Sequence, residues 1–139
     1  MTSITVPEGL SSIANYTFRN CSGLSNFTVP DSVVSIGTEA FSGCVSLKSI
    51  NIPKNLNTIQ SDTFTGCNSL ESITYNKNTV LSNLITSSIK PQIKEIIFGN
   101  DVTNICEICR EMSSLSHVHI PDSVTDIKSY AFYNCSSLT

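Results

Sequence analysis

Apolar residues recur along the chain every 23 positions, and each recurrence repeats the same local pattern of apolar and polar residues. The recurring columns hold leucine, isoleucine, valine, phenylalanine and cysteine, and a proline follows the second of two alternating apolar positions. The clearest copy runs from Leu24 to Cys44. Because many columns agree at one spacing, the pattern predicts an array of stacked repeats.

The period divides the chain into six units that form a single array. Phe132 follows Phe64 by 68 positions, one fewer than three full periods, so one intervening unit is short by one residue. The fourth unit is irregular, the fifth is the short one, and the last includes the start of a further unit. The predicted units are 1–23, 24–46, 47–69, 70–92, 93–114 and 115–139.

Each unit begins with a segment typical of a short strand. Phe27 and Val29 alternate with Asn26 and Thr28, which is the pattern of a strand with one buried face. Pro30 cannot donate to a ladder of hydrogen bonds, so it ends the strand and starts a turn. The next residues are spaced irregularly or roughly as in a helix, which predicts a turn and a short helix or 3₁₀ segment. Its predicted core residues are Val33, Ile36, Ala40, Phe41 and Cys44.

One unit cannot bury its own apolar side, whereas stacked units cover one another. The predicted fold is therefore an α/β-type solenoid whose strands form a parallel sheet with a spacing of about 4.8 Å. Phe18, Phe41, Phe64 and Phe132 are expected to lie one above another in its core.

The unit L-x-x-I-x-I-P-x-x-V-x-x-I-G-x-x-A-F-x-x-C, as it stands from Leu24 to Cys44, resembles the treponemal-type leucine-rich repeat of BspA-like proteins. The resemblance covers nearly the whole chain and breaks from Asn76 to Gln92. It implies a right-handed superhelix with a parallel sheet on the concave face and short helical or 3₁₀ turns on the convex side. It also implies a non-enzymatic part of a surface-exposed protein that adheres to host cells or matrix proteins.

Small polar residues dominate the strand positions predicted to point away from the core. They provide many hydrogen-bonding groups, and solenoids commonly bind partners on this side. A protein or glycan partner is predicted here, and a solvated face without a partner is the alternative. The candidate binding residues are Thr5, Asn26, Thr28, Ser49, Asn51, Ser72, Thr74, Glu95, Ile97, His117 and His119.

Two histidines flank Val118 and share the predicted open face. With Glu95 and Ile97 of the preceding unit, His117 and His119 are candidates for a contact point or a pH-sensitive patch. Ile97 is the one apolar residue in its column, so we expect it to be an exposed apolar contact. General acid–base catalysis requires a pocket and a convergent partner, and the pattern indicates neither.

Cysteines occupy one core column in four units, which favours a stack of buried free thiols over disulfides. Cys106 and Cys109 form a CxxC near the two histidines, but zinc needs four ligands around one point. The register places Cys109 in the core and the histidines on the open face. The chain is therefore expected to hold no metal and no cofactor.

The segment 78–88 has apolar residues at helical spacing, which predicts a helix that covers the back of the fourth unit, or else a self-association surface. Four N-x-Ser/Thr sequons fit a secreted protein of a glycosylating organism and also arise by chance in such a composition. They begin at Asn15, Asn20, Asn26 and Asn134.

Composition restricts the classes of function further. Apolar residues make up 40% of the 139 residues, charged residues 14%, and the net charge is -3 without a basic cluster. Nucleic acid is therefore not an expected partner, and no apolar run is long enough for membrane insertion. No signal peptide is evident. A cell-surface or secreted location rests on the resemblance, and a cytoplasmic location is the alternative.

Neither end of the array carries a polar cap, so we expect a fragment or an array completed by homo-oligomerisation across its ends. Three hypotheses of function follow. The first is a recognition or adhesion module that acts through the concave strands, and the second is a scaffold that self-assembles end to end or through the helix. The third is an enzyme with a site on the irregular segment.

Overall fold

The structure is a computed structural model that describes residues 4–81 and 83–139. The described chain forms a parallel β-solenoid of about five turns with almost no helix. Its strands are β1 (Ser12–Ile13), β2 (Ser35–Ile36), β3 (Ser49–Ile52), β4 (Thr58–Ile59), β5 (Ser72–Tyr75), β6 (Glu95–Phe98), β7 (Asn104–Ile105), β8 (His117–His119) and β9 (Asp126–Ile127). Two 3₁₀ segments, η1 (Lys90–Gln92) and η2 (Glu107–Cys109), are the helical elements of the described residues.

The strands form three parallel sheets. The largest has the order β3-β5-β6-β8, and the two others are β1-β2-β4 and β7-β9. Ile50 pairs with Ile73 and Ile73 with Ile96, an offset of 23 residues, whereas Ile96 pairs with Val118, an offset of 22. The predicted parallel sheet is confirmed. The right-handed sense of the superhelix stays a prediction.

Prolines follow β3 and β8 and begin turns, as the sequence predicts, whereas Asn76 and Gly99 follow β5 and β6. The backbone carbonyls of Pro30, Pro53 and Pro121 each accept a hydrogen bond from the N–H group three residues later, at 3.0–3.1 Å. Because proline lacks an N–H group, it lies at a position where the ladder has already ended. The chain then passes into the short strands β1, β2, β4, β7 and β9.

The third side of the solenoid consists mainly of turns, so the predicted helical convex side is not observed. Two columns in these turns have positive φ, from 51° to 77°, which a helix does not allow. The residues are Tyr16, Asn20, Glu39, Gly43, Asp62, Gly66, Glu111, Tyr130 and Asn134. Hydrogen bonds between neighbouring units replace helical ones, and the fifth unit forms the 3₁₀ segment η2 here.

The core is one continuous apolar cluster that runs through all the units. Phe18 and Phe41 stack with ring centroids 5.2 Å apart, and Phe41 and Phe64 stack at 5.6 Å. Phe132 packs against the same cluster in the last unit and is only partly buried. The stack of three phenylalanines confirms the predicted aromatic column for the first three units.

The irregular segment 76–92 forms turns and η1 in place of the predicted helix over 78–88. Its apolar side chains still contribute to the core, since Leu84 and Ile89 are 1% exposed, but Val80 is 49% exposed. The spacing of apolar residues in this segment therefore corresponds to side chains that are buried from turns and not from a helix. The helix prediction was wrong because the chain must here rejoin the periodic units on both sides. Ser82 lies outside the described residues.

Two asparagines satisfy backbone groups where the short-strand sheets are interrupted. Asn78 Oδ1 accepts hydrogen bonds from the N–H groups of Thr103 and Asn104 at 2.8 and 3.0 Å. Asn83 Nδ2 donates to Ile59 O at 3.2 Å. The described residues form no short strand between β4 and β7, and these two side chains connect the neighbouring units there.

Candidate functional site

One surface of the large sheet carries most of the predicted binding residues. Strand geometry directs alternate side chains outward, and the residues between them are buried in the core. We call this surface the open face. It consists of Ser49, Asn51, Ser72, Thr74, Glu95, Ile97, His117 and His119, contributed pairwise by β3, β5, β6 and β8.

The remaining three predicted residues lie outside this sheet. Thr5, Asn26 and Thr28 are exposed, but a single parallel bridge between Asn26 and Ser49 connects the second unit to β3. The structure therefore brings eight of the eleven residues together on one sheet. The other three belong to the first two units, beyond its edge.

Asn51 is part of the framework rather than a free binding group. The N–H of Val29 donates to Asn51 Oδ1 at 2.8 Å, and Asn51 Nδ2 donates to Val29 O at 2.8 Å. The side-chain amide thus bonds to the Val29 backbone as a neighbouring strand would, at the edge where the backbone hydrogen bonds of the sheet end. Its role in binding a partner stays a prediction.

Ile97 is only partly exposed. It lies between Thr74 and His119 in the register of β5, β6 and β8, and these neighbours cover part of its side chain. It therefore does not project as the exposed apolar contact that the sequence predicted. The two histidines are exposed, and His117 Nδ1 lies 2.9 Å from Ser116 Oγ.

A shallow polar groove of about 850 Å³ runs along the margin of the open face. Lysine and glutamate alternate along it in successive units, and Lys94 Nζ lies 2.8 Å from Glu71 Oε1. Ser72 Oγ donates to Glu95 Oε2 at 2.8 Å. The groove is lined by Lys48, Ser49, Asn68, Ser69, Glu71, Ser72, Lys94, Glu95 and His117.

The sequence interpretation missed the charged half of this groove. Lys48, Glu71 and Lys94 occupy the column immediately before the strands, at intervals of 23 residues. That alternation of charge was visible in the sequence. The predicted binding residues lie inside the strands, whereas these long side chains reach the groove from the residues just before each strand.

The cysteine column lies in the core and its thiols are free. Cys44 Sγ donates to Phe18 O at 3.2 Å, and Cys67 Sγ donates to Phe41 O at 3.1 Å. Burial raises the pKa of Cys44 to about 11 and that of Cys67 to about 12. Cys21 stands in the same column and is only partly buried. Suppressed ionisation makes the buried thiols poor nucleophiles.

The CxxC and the histidines do not share one site. Cys109 is fully buried and Cys106 partly buried, while His117 and His119 lie exposed on the open face. Within the described residues, no three His, Cys, Asp or Glu side chains are placed to hold a metal ion. The described part of the chain also contains no helix long and apolar enough to cross a membrane.

The chain belongs to the BspA-type leucine-rich repeat family. The family model, described as a BspA type leucine-rich repeat region, matches six copies over residues 1–109 and 88–139. No curated protein sequence matches the chain. The family assignment therefore agrees with the repeat resemblance and with the observed solenoid.

Solved structures of bacterial leucine-rich repeat proteins resemble the chain over nearly its full length. One from Bacteroides ovatus is 32% identical with a TM-score of 0.62, and one from Eubacterium ventriosum is 25% identical with a TM-score of 0.69. The alignments cover 99% of this chain, which spans 36% and 38% of those two chains. A leucine-rich cell surface protein from Faecalibacterium prausnitzii is 26% identical, with a TM-score of 0.51 over 96% of this chain and 39% of its own.

Proposed function

We propose that this array is a non-enzymatic recognition module that binds a protein or glycan partner through the open face. The proposal rests on one observation, which is that the polar groove directly adjoins the open face. Together they offer hydroxyl, carboxylate, ammonium and imidazole groups on one rigid parallel sheet. A leucine-rich repeat solenoid typically serves as an interaction scaffold.

The chemistry of the groove supports recognition rather than catalysis. The strongly raised pKa values belong to buried thiols and to the Tyr75 hydroxyl, because burial disfavours their charged forms. These groups lie in the core and not in the groove. The groove itself is shallow, and its carboxylates are engaged by Lys94 and Ser72. Such an arrangement suits a multivalent polar contact.

The protein that contains this array is proposed to act at the cell surface, in adhesion to host-cell or matrix components. The cell surface assignment of the Faecalibacterium prausnitzii relative supports this location. A polar surface that repeats along the solenoid suits an extended partner, because each unit adds similar hydrogen-bonding groups. The partner is accordingly proposed to be an extracellular protein or a glycan.

Binding of the purified chain to immobilised matrix proteins and to cultured epithelial cells tests this proposal. Thr74→Arg places a long charged side chain in the centre of the open face, and we expect it to weaken binding by at least about tenfold. Thr74 is suitable because its side chain makes no hydrogen bond within the described residues and its loss leaves the framework intact. Asn51 is unsuitable because it pairs with Val29.

The matched control is Asn57→Arg, which adds the same side chain at an exposed position next to β4, away from the open face. It should bind as the unmodified chain does. Equal binding by both variants, or a selective loss with Asn57→Arg, would show that the contact surface lies elsewhere.

A further inference from the structure

Two lysines and a glutamate lie on successive units at the margin of the open face, each directly before a strand. Lys48, Glu71 and Lys94 are spaced by 23 residues, and backbone hydrogen bonds join them. The N–H of Glu71 donates to Lys48 O at 3.0 Å, and the N–H of Lys94 donates to Glu71 O at 2.8 Å. Because neighbouring strands lie about 4.8 Å apart, the three side chains form a fixed row of alternating charge.

The charges along this margin are not all paired. Lys94 Nζ lies 2.8 Å from Glu71 Oε1, so this glutamate is engaged by the lysine of the following unit. Glu95, in the adjacent column, accepts a hydrogen bond from Ser72 Oγ at 2.8 Å. Lys48 is exposed, and within the described residues its ammonium group contacts neither a carboxylate nor another hydrogen-bond acceptor. This ammonium group is therefore available to an anion from outside the chain.

Neutral hydrogen-bonding side chains line the same groove as Lys48. Ser49 follows it in the chain, and Asn68 and Ser69 belong to the turn before β5. Hydroxyl and amide groups donate hydrogen bonds to a carboxylate, and an ammonium group does so with the added strength of its charge. The groove thus offers one unpaired positive charge together with several neutral donors.

The two glutamates of the groove limit the charge of an occupant. With His117 neutral, two lysines and two glutamates give the groove a formal charge of zero. A polyanion such as a heavily sulfated chain would bring like charges against Glu71 and Glu95, which is unfavourable. Carboxylate oxygens instead accept hydrogen bonds from hydroxyl groups. The occupant that fits therefore has one negative charge and hydroxyl groups beside it.

Charge and hydrogen bonds dominate recognition in this groove, because no phenylalanine or tyrosine is among the described residues that line it. Its volume of about 850 Å³ is within the range of small-ligand sites, about 300–1,000 Å³. Since the groove is open to solvent, salt screens its charges, and the affinity for a charged ligand should fall as ionic strength rises.

We propose that the groove binds a carboxylated sugar residue, with its carboxylate on Lys48 and its hydroxyl groups on Glu71 and Glu95. Sialic acids and hexuronic acids share this chemistry, a carboxylate and several hydroxyl groups on one pyranose ring. The proposal rests on the recognition function proposed above and narrows its partner to an acidic glycan.

NMR titration of the unmodified chain with sialyllactose, a glucuronate disaccharide and lactose tests the proposal and distinguishes the two sources of the carboxylate. At least one of the two acids should bind at least about tenfold more tightly than lactose and shift the amides of Lys48, Ser49 and Ser72. The methyl ester of that acid keeps the hydroxyl groups and loses the charge, so it should bind as weakly as lactose. Equal binding of the acid and its methyl ester overturns the proposal.

Lys48→Met removes the ammonium group and keeps a long side chain. It should weaken binding of the acid by at least about tenfold and leave binding of the methyl ester unchanged, since only the charged pair is lost. Lys128→Met is the matched control, because Lys128 is also exposed, lies outside the groove and pairs with Asp126. It should bind as the unmodified chain does. Unchanged affinity of Lys48→Met for the acid overturns the proposal.

The outcome for the groove is separate from the outcome for the recognition function. If the chain binds a matrix protein or cells and Thr74→Arg abolishes that binding, while neither acidic sugar binds, the groove proposal is overturned and the recognition function stands. Binding of an acidic sugar that depends on Lys48 supports the groove proposal even where no matrix protein binds.

Discussion

The side-chain amide of Asn51 forms two 2.8 Å hydrogen bonds with Val29, one to its N–H and one to its carbonyl. It thereby satisfies backbone groups at the edge where the large sheet ends. Asn51 points to the open face by its position in β3, so its sequence position alone does not distinguish a binding residue from a structural one.

We expect Asn51→Ala to lower the free energy of unfolding by about 1–3 kcal/mol, because both partly buried backbone groups of Val29 lose their partner. Thr74→Ala is the matched control, since Thr74 occupies the same column in the next unit and makes no side-chain hydrogen bond within the described residues. Urea denaturation of both variants measures the difference. Equal stability would contradict a framework role for Asn51.

Gly37 is predicted to tolerate no side chain. A Cβ atom at this position would lie 2.5 Å from the backbone nitrogen of Asn15 and 2.8 Å from the backbone carbon of Ala14. Because these atoms belong to the backbone of the preceding unit, Gly37→Ala should destabilise the fold by about 2–3 kcal/mol. Gly9→Ala, where a Cβ atom meets nothing within 4 Å, should change thermal unfolding little.

Alkaline pH should weaken the array through its buried thiols. Burial raises the pKa of Cys67 from 9.0 to about 12, and the neighbouring Cys44 thiol adds to the effect. Below pH 9 the thiol is protonated in both the folded and the unfolded chain, and its full contribution to the stability of the fold is present. Between pH 9 and about 12 only the unfolded state ionises, so stability falls by at most about 1.4 kcal/mol per pH unit for this group.

The comparison with Cys67→Ala isolates this contribution from other alkaline titrations. The unmodified chain should be more stable near neutral pH, because it retains the thiol packing and the hydrogen bond to Phe41 O. The difference in the free energy of unfolding between the unmodified chain and Cys67→Ala, measured by urea denaturation, should decrease as pH rises above 9. A difference in unfolding free energy that stays constant up to pH 11 would contradict a raised pKa of the Cys67 thiol. Rapid alkylation of this thiol in the folded chain would contradict it as well.

Asn78 should protect two specific amides from exchange. Its Oδ1 accepts from the N–H groups of Thr103 and Asn104 at the broken edge of the short-strand sheets. Asn78→Ala is therefore expected to speed hydrogen exchange at both amides by at least about tenfold. Asn100→Ala, at an exposed turn residue nearby, should leave them unchanged. Unaltered exchange in Asn78→Ala would show that other groups hold this edge.

The periodic parts of the fold were predictable because burial repeats with the sequence. Leucine, isoleucine and phenylalanine columns imply one shared core, and the stacked rings of Phe18, Phe41 and Phe64 follow from that column. The alternation around Phe27 and Val29 likewise predicted outward-facing polar residues. These features depend on side-chain polarity, which the sequence states directly.

Other features depend on backbone geometry that polarity does not encode. The turns at Tyr16 and Glu39 adopt left-handed φ although neither residue favours it, since inter-unit hydrogen bonds stabilise that conformation. In segment 78–88 the apolar spacing matched a helix, but the chain instead places Leu84 and Ile89 in the core from turns. The local spacing of apolar residues does not distinguish a helix from turns that keep the array continuous.

Chemical-shift mapping by NMR tests the central claim, that the open face is the contact surface, most directly. The chain has a mass of 15.1 kDa, which suits assigned amide spectra, and the titrant is a matrix protein or glycan that binds in the assay above. We expect the largest shifts to cluster at Ser72, Thr74, Glu95 and His117. Shifts concentrated instead at the opposite turns, around Asn15 or Asp62, with the open face unchanged, would contradict it.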